Sequence, residues 1–298
     1  MKINKVYIVL FLFFAIFFAA CEKNITIELP EYESELVIES YLEEGLPYIV
    51  SVTESVSFLA ALDLPTVPNA LVTITHNGIT DTLQFLDVAY FNLETIVQPN
   101  DFEPYFLRVE DLTTGRIAEA STQLLPILPI DTISYLVNDT LGAAMLMYFY
   151  DDAIAENHYK VWFAKADEEI LNECYSGNGS LTLQCFADFD SLFVADKIET
   201  WEFSDNIFEA GSRVPVGMGY NYKVGDVIVC RLYNISKAYY DFLETAGDAS
   251  SAASNPISRP ARIISNINGG FGIFTAVNYE EKIAVSYTHL RAHETCGH

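Results

Sequence analysis

The sequence has 298 residues, of which 51% are hydrophobic, and its 41 acidic residues against 16 basic ones give a formal net charge of −25 at pH 7. The hydrophobic content excludes a disordered chain, and the negative charge excludes nucleic acid as a partner, because phosphate backbones are bound by clustered Lys and Arg. We therefore expect a folded, acidic protein with one large domain or two ordinary ones.

Residues 1–21 are typical of a lipoprotein signal peptide. A basic start precedes an apolar run over Val6–Ala20, which is too short to span a bilayer and has the length of a secretory signal. The small pair Ala19 and Ala20 stands before Cys21, and this arrangement resembles the lipobox of bacterial lipoproteins. We predict cleavage before Cys21 and lipidation of its thiol. The alternative is an uncleaved signal anchor with an incidental cysteine.

The next two segments are an acidic linker over residues 22–34 and an immunoglobulin-like β-sandwich over residues 35–128. Asn77-Gly78 between alternating segments predicts a β-hairpin, because both residues accept a positive φ. Short strands at this spacing, with turns marked by Gly and Pro, favour a sandwich. The predicted strands are Leu36–Ile38, Tyr48–Val52, Ala70–Thr75, Thr82–Phe85, Tyr105–Glu110 and Arg116–Thr122.

Residues 129–284 are predicted to form a second β-rich domain with one helix near residues 235–246. Asn234 or Ser236 can cap this helix, and Gly247 can end it. The fold class is therefore all-β, mainly strands with one short helix. The predicted strands here are Asp131–Leu136, Ala144–Tyr150, His158–Lys165 and Val224–Leu232, with a less regular stretch over about 167–219.

Three cysteines remain between the signal and the C-terminal tail. Cys174 and Cys185 flank a turn-rich tip, and a disulfide between them or two free thiols are the two alternatives. Cys230 ends an apolar run and is predicted to be a core thiol. His76 and His158 stand at no spacing that marks the partner of a cysteine or serine nucleophile.

The last segment, residues 285–298, is unlike the chain before it. It holds three of the five histidines and resembles the translation of a sequencing adapter. We predict that this tail is not native and that the natural chain continues differently after about Ala284. The alternatives are a natural basic tail, or a metal site built from His289, His293 and His298.

Two other patterns resemble ligand sites without matching them. The glycines of Asn268–Gly272 suggest a phosphate loop, but neither a lysine nor a helix start accompanies them, so a tight turn is predicted. Asp151 and Asp152, with Asp188 and Asp190, do not match the Gly-centred loop that binds calcium. We predict no catalytic residue, no metal and no cofactor.

Four segments, taken in order, resemble one family. Leu36–Tyr41 follows the lipid cysteine, Asn69–Ile74 forms a strand, a Tyr-rich helix leads into Asn255-Pro256, and Ser265–Phe274 comes last. They resemble Bacteroidota lipoproteins catalogued as domain-of-unknown-function family 4249, over about residues 21–281. The resemblance implies an outer-membrane lipoprotein, often encoded beside TonB-dependent receptors, and brings no activity with it.

We therefore expect a lipid-anchored, extracytoplasmic protein of the cell outer membrane, on its periplasmic or its surface face. The leading hypothesis is a non-enzymatic binding or accessory component of a TonB-dependent-type transport system, with an outer-membrane receptor as its partner. A surface adhesin or structural lipoprotein is the alternative. A hydrolase with an unrecognised carboxylate site is the third hypothesis. In so acidic a chain, nothing in the sequence distinguishes a catalytic pair of carboxylates from solvated surface charge.

Overall fold

The computed structural model describes residues 32–57, 65–138, 140–166, 193–219, 222–253 and 262–285. The chain divides into two compact units, Met1–Glu33 and Ser34–His298, and every described strand lies in the second unit.

Fifteen strands, one α-helix and a single-turn 3-10 helix over Asp205–Ile207 make up the regular structure of the described residues, so the predicted all-β class is confirmed. The elements are β1 (Leu36–Glu43), β2 (Pro47–Glu54), β3 (Ala70–His76), β4 (Ile79–Leu86), β5 (Ala89–Ile96), β6 (Tyr105–Asp111), β7 (Ile117–Thr122), β8 (Ile130–Asn138), β9 (Gly142–Tyr150), β10 (His158–Ala166), β11 (Phe193–Ser204), β12 (Arg213–Gly217), β13 (Val227–Ile235), α1 (Lys237–Ala253), β14 (Phe271–Val277) and β15 (Tyr279–Val285).

The first sheet has eight strands in the order β14-β1-β2-β5-β4-β3-β6-β7. Its strands alternate between core and outer face; in β6, Tyr105 and Leu107 are buried while Phe106 points outward. The sheet curls until β7 meets the segment before β14, where the backbones of Glu119 and Asn268 exchange hydrogen bonds of 2.9 and 2.8 Å. The buried faces of the strands thereby enclose one hydrophobic core.

The turns of this sheet follow simple backbone rules. Asn77 and Gly78 have φ values of 50° and 75°, so the predicted hairpin between β3 and β4 is present. The sequence prediction missed β5, which follows β4 through a tight turn with Asp87 at φ 55°. Leu86, Asp87 and Val88 contain neither Gly nor Pro, so the usual sign of a turn is absent there.

A second core lies between a four-stranded sheet, β11-β10-β13-β15, and a three-stranded sheet, β12-β9-β8. Tyr159 and Phe163 of β10 pack there with Met147 and Phe149 of β9. β11 and β12 lie in the stretch predicted to be irregular, and that prediction is wrong for both. β11 stands at the end of its sheet and its sequence mixes charged with apolar residues, so it resembles a polar loop.

The helix begins where the sequence predicted and ends later. Ser236 is its cap, since its Oγ accepts the backbone N–H of Tyr239 at 3.2 Å. The prediction that Gly247 ends the helix near residue 246 is wrong, because α1 continues to Ala253. A glycine inside a helix costs only about 1 kcal/mol, and alanines follow it. Within the described ranges, no helix has the length and apolar character needed to cross a membrane.

Two consecutive strands connect the two cores. β14 runs parallel to β1 in the first sheet, β15 pairs with β13 in the second, and Asn278, which is 3% exposed, is the single residue between them. The other seven strands of the first sheet lie within residues 35–128, the range predicted for the first domain. The eighth strand, β14, comes from residues 129–284, the range predicted for the second domain. The boundary between those two predicted domains stays a prediction.

Glycines let β14 lie against its neighbours. Gly272 has φ +111°, and a Cβ there would collide with the carbonyl oxygen of Ile38 in β1. A Cβ on Gly270 would lie 2.6 Å from the carbonyl oxygen of Leu36. These glycines therefore have a packing role, because only a residue without a side chain allows two backbones to approach so closely.

Replacement of Gly272 by Ala tests this approach. Gly225 is the matched control, because its φ is +100° and the space around it is open to 4 Å. We expect Gly225→Ala to lower the free energy of unfolding by about 1–3 kcal/mol through backbone strain alone. Gly272→Ala should cost about 4 kcal/mol or more, because the collision with β1 adds to the strain. Urea denaturation measures both, and equal losses would contradict the packing role.

Candidate functional site

Most residues with predicted chemistry lie outside the described residues. These are Cys21, Cys174 and Cys185, so lipidation and the disulfide stay predictions. Cys230 is described, and it lies fully buried in the second core as a free thiol. Burial raises the pKa of this thiol well above its usual value, which keeps it protonated and unreactive.

The buried carboxylate of Asp151 forms hydrogen bonds within the fold. It is 7% exposed and accepts hydrogen bonds from the Tyr159 hydroxyl at 2.5 Å and from the Gly211 backbone N–H at 3.0 Å. Asp188 and Asp190, which were considered with it as calcium ligands, lie outside the described residues. In the part of the chain that is described, His, Cys, Asp and Glu form no group of three or more that could hold a metal ion.

His76 has a structural role, because it holds the loop that contains Asp101. Its ring stacks on Tyr105 with centroids 3.8 Å apart, and its Nε2 lies 2.9 Å from Asp101 Oδ2. The Glu103 backbone N–H and the His76 side chain lower the pKa of Asp101, so this carboxylate is ionised at neutral pH. The arrangement holds the segment before β6 against the hairpin between β3 and β4.

Arg231 is a buried cation on the outer face of the second sheet. It is 3% exposed; its Nε donates to Glu281 Oε2 at 2.6 Å, and its guanidinium lies 4.9 Å from the Trp162 ring centroid and 4.4 Å from that of Tyr279. Burial alone would lower the pKa of Arg231, but Tyr233, Tyr279 and Glu281 outweigh it and raise the pKa. Arg231 therefore stays charged, and its partners are structural.

Replacement of Glu281 by Gln tests the dependence of the fold on this buried pair. We expect a loss of about 3–5 kcal/mol, because the substitution leaves a buried guanidinium without its counter-charge. Asp241→Asn is the control, since the Lys237–Asp241 pair is exposed on one helix, and its loss should be about 0.5 kcal/mol. Chemical denaturation of both variants checks the contrast, and a loss below 1 kcal/mol for Glu281→Gln would contradict it.

Two cavities that share lining residues form a concave feature among the described residues. The first, which we call the inner cavity, has a volume of about 610 Å³ and lies where the end of β7, the start of β10 and the start of α1 meet. His158 is 5% exposed and lies on its wall. The polar residues of the inner cavity are Ser121, Thr122, Gln123, Asp152, Glu156, Asn157, His158, Asn234, Ser236, Lys237 and Asn266.

The second cavity, which we call the outer groove, has a volume of about 700 Å³ and follows the outer face of β3, β6 and β7. Ser121 and Asn266 line both cavities, so the two adjoin. We refer to the inner cavity and the outer groove together as the cleft. The outer groove is lined by Thr73, Thr75, Thr80, Phe106, Leu107, Arg108, Glu119, Ala120, Ser121, Asn266 and Asn268.

Three charged residues of the cleft, Arg108, Glu119 and Lys237, are held in ion pairs. In the outer groove, Arg108 contacts Glu119 at 2.5 Å and Glu110 at 3.2 Å. At the inner cavity, Lys237 Nζ lies 2.7 Å from both carboxylate oxygens of Asp241. Besides apolar side chains and the carboxylates of Asp152 and Glu156, the cleft offers a ligand hydroxyls, amides and the exposed ring of Phe106. A largely apolar lining with a few polar groups is typical of a binding site.

Sequence comparison assigns the chain to a family. A family model described as a domain of unknown function, DUF4249, matches residues 22–283. The chain belongs to this family. This match confirms the family that the four sequence segments predicted. No curated protein matches this DUF4249 chain.

Solved structures resemble the DUF4249 chain only remotely. A cytokine receptor complex matches with a TM-score of 0.25 and 9% identity, over 87% of this chain and 98% of that one. Two fibronectin type-III domains of chicken tenascin match with a TM-score of 0.20 and 8% identity, over 68% and 91%. An α-2-macroglobulin from Escherichia coli matches with a TM-score of 0.22 and 9% identity, over 73% and 15%. Scores this low carry no argument, so the fold assignment rests on the strands.

Sequence reasoning did not single out the cleft of the DUF4249 chain. Its walls come from strands and loops far apart in the chain, and no motif spacing marks such an assembly. One signal was present: alternation in Tyr105, Phe106 and Leu107 puts Phe106 on the face opposite two core residues. Aromatic residues are enriched in interaction surfaces, so this outward position is the one sequence feature that pointed to the cleft.

Proposed function

We propose that this chain is a lipid-anchored, extracytoplasmic binding protein that assists an outer-membrane transport system of the TonB-dependent type. The observation that carries the binding role is the cleft, because its two cavities of about 610 and 700 Å³ have the size of small-molecule sites and a lining rich in hydroxyls and amides. The proposed anchor is Cys21. The proposed partner is an outer-membrane receptor, and the net charge of −25 argues against nucleic acid.

The described side chains also favour binding over catalysis. The buried ionisable groups Asp151, His76 and Arg231 are each held by structural partners. The described residues of the cleft contain one histidine, His158, and no hydrogen bond joins it to a serine or cysteine that could serve as a nucleophile. We therefore propose a ligand carrier or accessory protein rather than a hydrolase.

A surface adhesin is the second candidate. Exposed apolar side chains occur along β4, β5 and the turn between them, where Ile79, Val88 and Leu93 are each about two-thirds exposed. We infer from this exposed apolar surface that another protein binds there. Protease treatment of intact cells separates the candidates, since an adhesin must be degraded from outside, whereas a periplasmic accessory protein is protected.

Replacement of Cys21 by Ser tests the anchor. We expect the wild-type mature protein to begin at Cys21 with the added mass of acyl chains, and to sediment with outer membranes. Cys21→Ser should lose this modification, because serine has no thiol to accept the lipid. Lys23→Ala is the matched control and should keep both the modification and the membrane attachment. Mass spectrometry of the N-terminus measures the outcome, and an unmodified Cys21 or an intact signal in the wild type would overturn the anchor.

Cross-linking in intact envelopes, followed by solubilisation and mass spectrometry, tests the partner. We expect cross-links between the anchored chain and one TonB-dependent-type receptor, at positions that repeat between preparations. Cys21→Ser should lose these cross-links, because it is no longer held at the membrane. An anchored chain with no such cross-link would overturn the accessory role.

A further inference from the structure

We propose that the cleft binds a neutral oligosaccharide, with one sugar ring stacked on Phe106 in the outer groove and the next units directed toward His158 in the inner cavity. This inference rests on the proposed binding role and names the ligand class for the same site. Three features support it: an exposed ring bordered by hydroxyls, polar groups of the inner cavity that are open to a ligand, and a balance of charge that disfavours ions.

Phe106 has the surroundings of a sugar-stacking platform. Its side chain is 52% exposed, more than those of Tyr41 and Phe271, the other exposed aromatic residues of this sheet. Its cross-strand neighbours are Thr75 on β3 and Ser121 on β7, and the Thr75 hydroxyl lies 2.9 Å from that of Thr80. An apolar ring can cover the C–H face of a pyranose while neighbouring hydroxyls bond to its rim, so both surfaces of a sugar are matched.

The inner cavity holds polar groups that are open to a ligand. His158 Nε2 lies 3.8 Å from Glu156 Oε1, beyond hydrogen-bond distance, and among the described residues neither ring nitrogen makes a hydrogen bond. The Gln123 side chain is exposed, and it too has no hydrogen-bond partner among the described residues. Imidazole nitrogens and an amide both form hydrogen bonds with hydroxyl groups such as those of a sugar. The His158 ring contacts Tyr240, with centroids 4.8 Å apart, and a ligand in the inner cavity can supply the hydrogen bonds that its nitrogens lack.

The charges of the inner cavity select against ions. Asp152 and Glu156 on its wall, together with the net charge of −25, repel phosphates and carboxylates. The backbone N–H groups at the start of α1, around Ser236 and Lys237, disfavour a cation. An uncharged ligand with hydrogen-bond donors and acceptors is repelled neither by the carboxylates nor by the start of α1.

An extended peptide is also uncharged along its backbone, but it fits this surface less well. Peptides in sheets are usually held by main-chain hydrogen bonds to a free strand edge. The floor of the outer groove is built on β3 and β6, which are paired on both sides in the order β4-β3-β6-β7. The outer groove therefore offers side chains on the face of a sheet rather than an edge, and sugars bind to such faces through side chains.

Calorimetric titration of the full chain, purified in detergent, tests the proposal. The probes are neutral oligosaccharides of defined linkage, namely malto-, cello-, xylo- and manno-oligosaccharides, with oligogalacturonides and an uncharged peptide for comparison. We expect at least one neutral series to bind. Phe106→Ala should weaken that binding about tenfold, which corresponds to about 1.4 kcal/mol, and Gln123→Ala should weaken it several-fold. Phe102→Ala is the matched control, because Phe102 is 43% exposed and does not line the cleft, and it should bind as the wild type does.

Each outcome bears on the ligand class separately from the proposed function. Binding of the peptide or of oligogalacturonides with no neutral sugar bound would overturn the proposal, as would a panel without any binding. Neutral-sugar binding that Phe106→Ala leaves unchanged would overturn the site. If these failures occur while receptor cross-links persist, the sugar inference falls and the accessory role stands. Circular dichroism of the variants checks that the fold is retained, as expected for substitutions at exposed positions.

Discussion

The close approach of β14 to β1 is the constraint on which the rest of the fold depends. β14 comes from the far end of the chain, and its parallel pairing with β1 requires Gly270 and Gly272, since side chains at either position would meet the β1 backbone. With β14 in place, β7 can meet the preceding segment through Glu119 and Asn268, and the first core is closed. The glycine pattern of Asn268–Gly272, which resembled a phosphate loop in the sequence, therefore allows close contact between two backbones.

The same pairing also places the cleft. Asn266 precedes β14, and its side-chain amide bonds to both backbone groups of Phe274, with distances of 2.7 and 3.0 Å. This contact fixes Asn266, which together with Ser121 lines both the inner cavity and the outer groove. The shape of the proposed binding site thus follows from the interaction that closes the first core.

Local chemistry made part of this structure predictable. Asn77-Gly78 predicted its hairpin and Ser236 its helix cap, because both features depend on residues next to each other in the chain. β5, β11, β12, β14 and β15 were not predicted as strands. β5 lacks a marked turn before it, and β11 mixes charged with apolar residues at the end of a sheet. The cleft could not be predicted from the sequence. Phe106, His158 and Asn266 are far apart in the chain and line the cleft only after the whole chain has folded, so no sequence spacing marks it.

The parallel pairing of β1 with β14 also has a mechanical consequence. Tension applied between the beginning of β1 at Leu36 and the end of β14 at Val277 would slide the two strands along each other. The paired positions, from Val37 with Phe271 to Glu43 with Val277, would then be loaded together in shear rather than opened one at a time. A sheet joined in this way yields to pulling in this direction only when the whole ladder breaks at once.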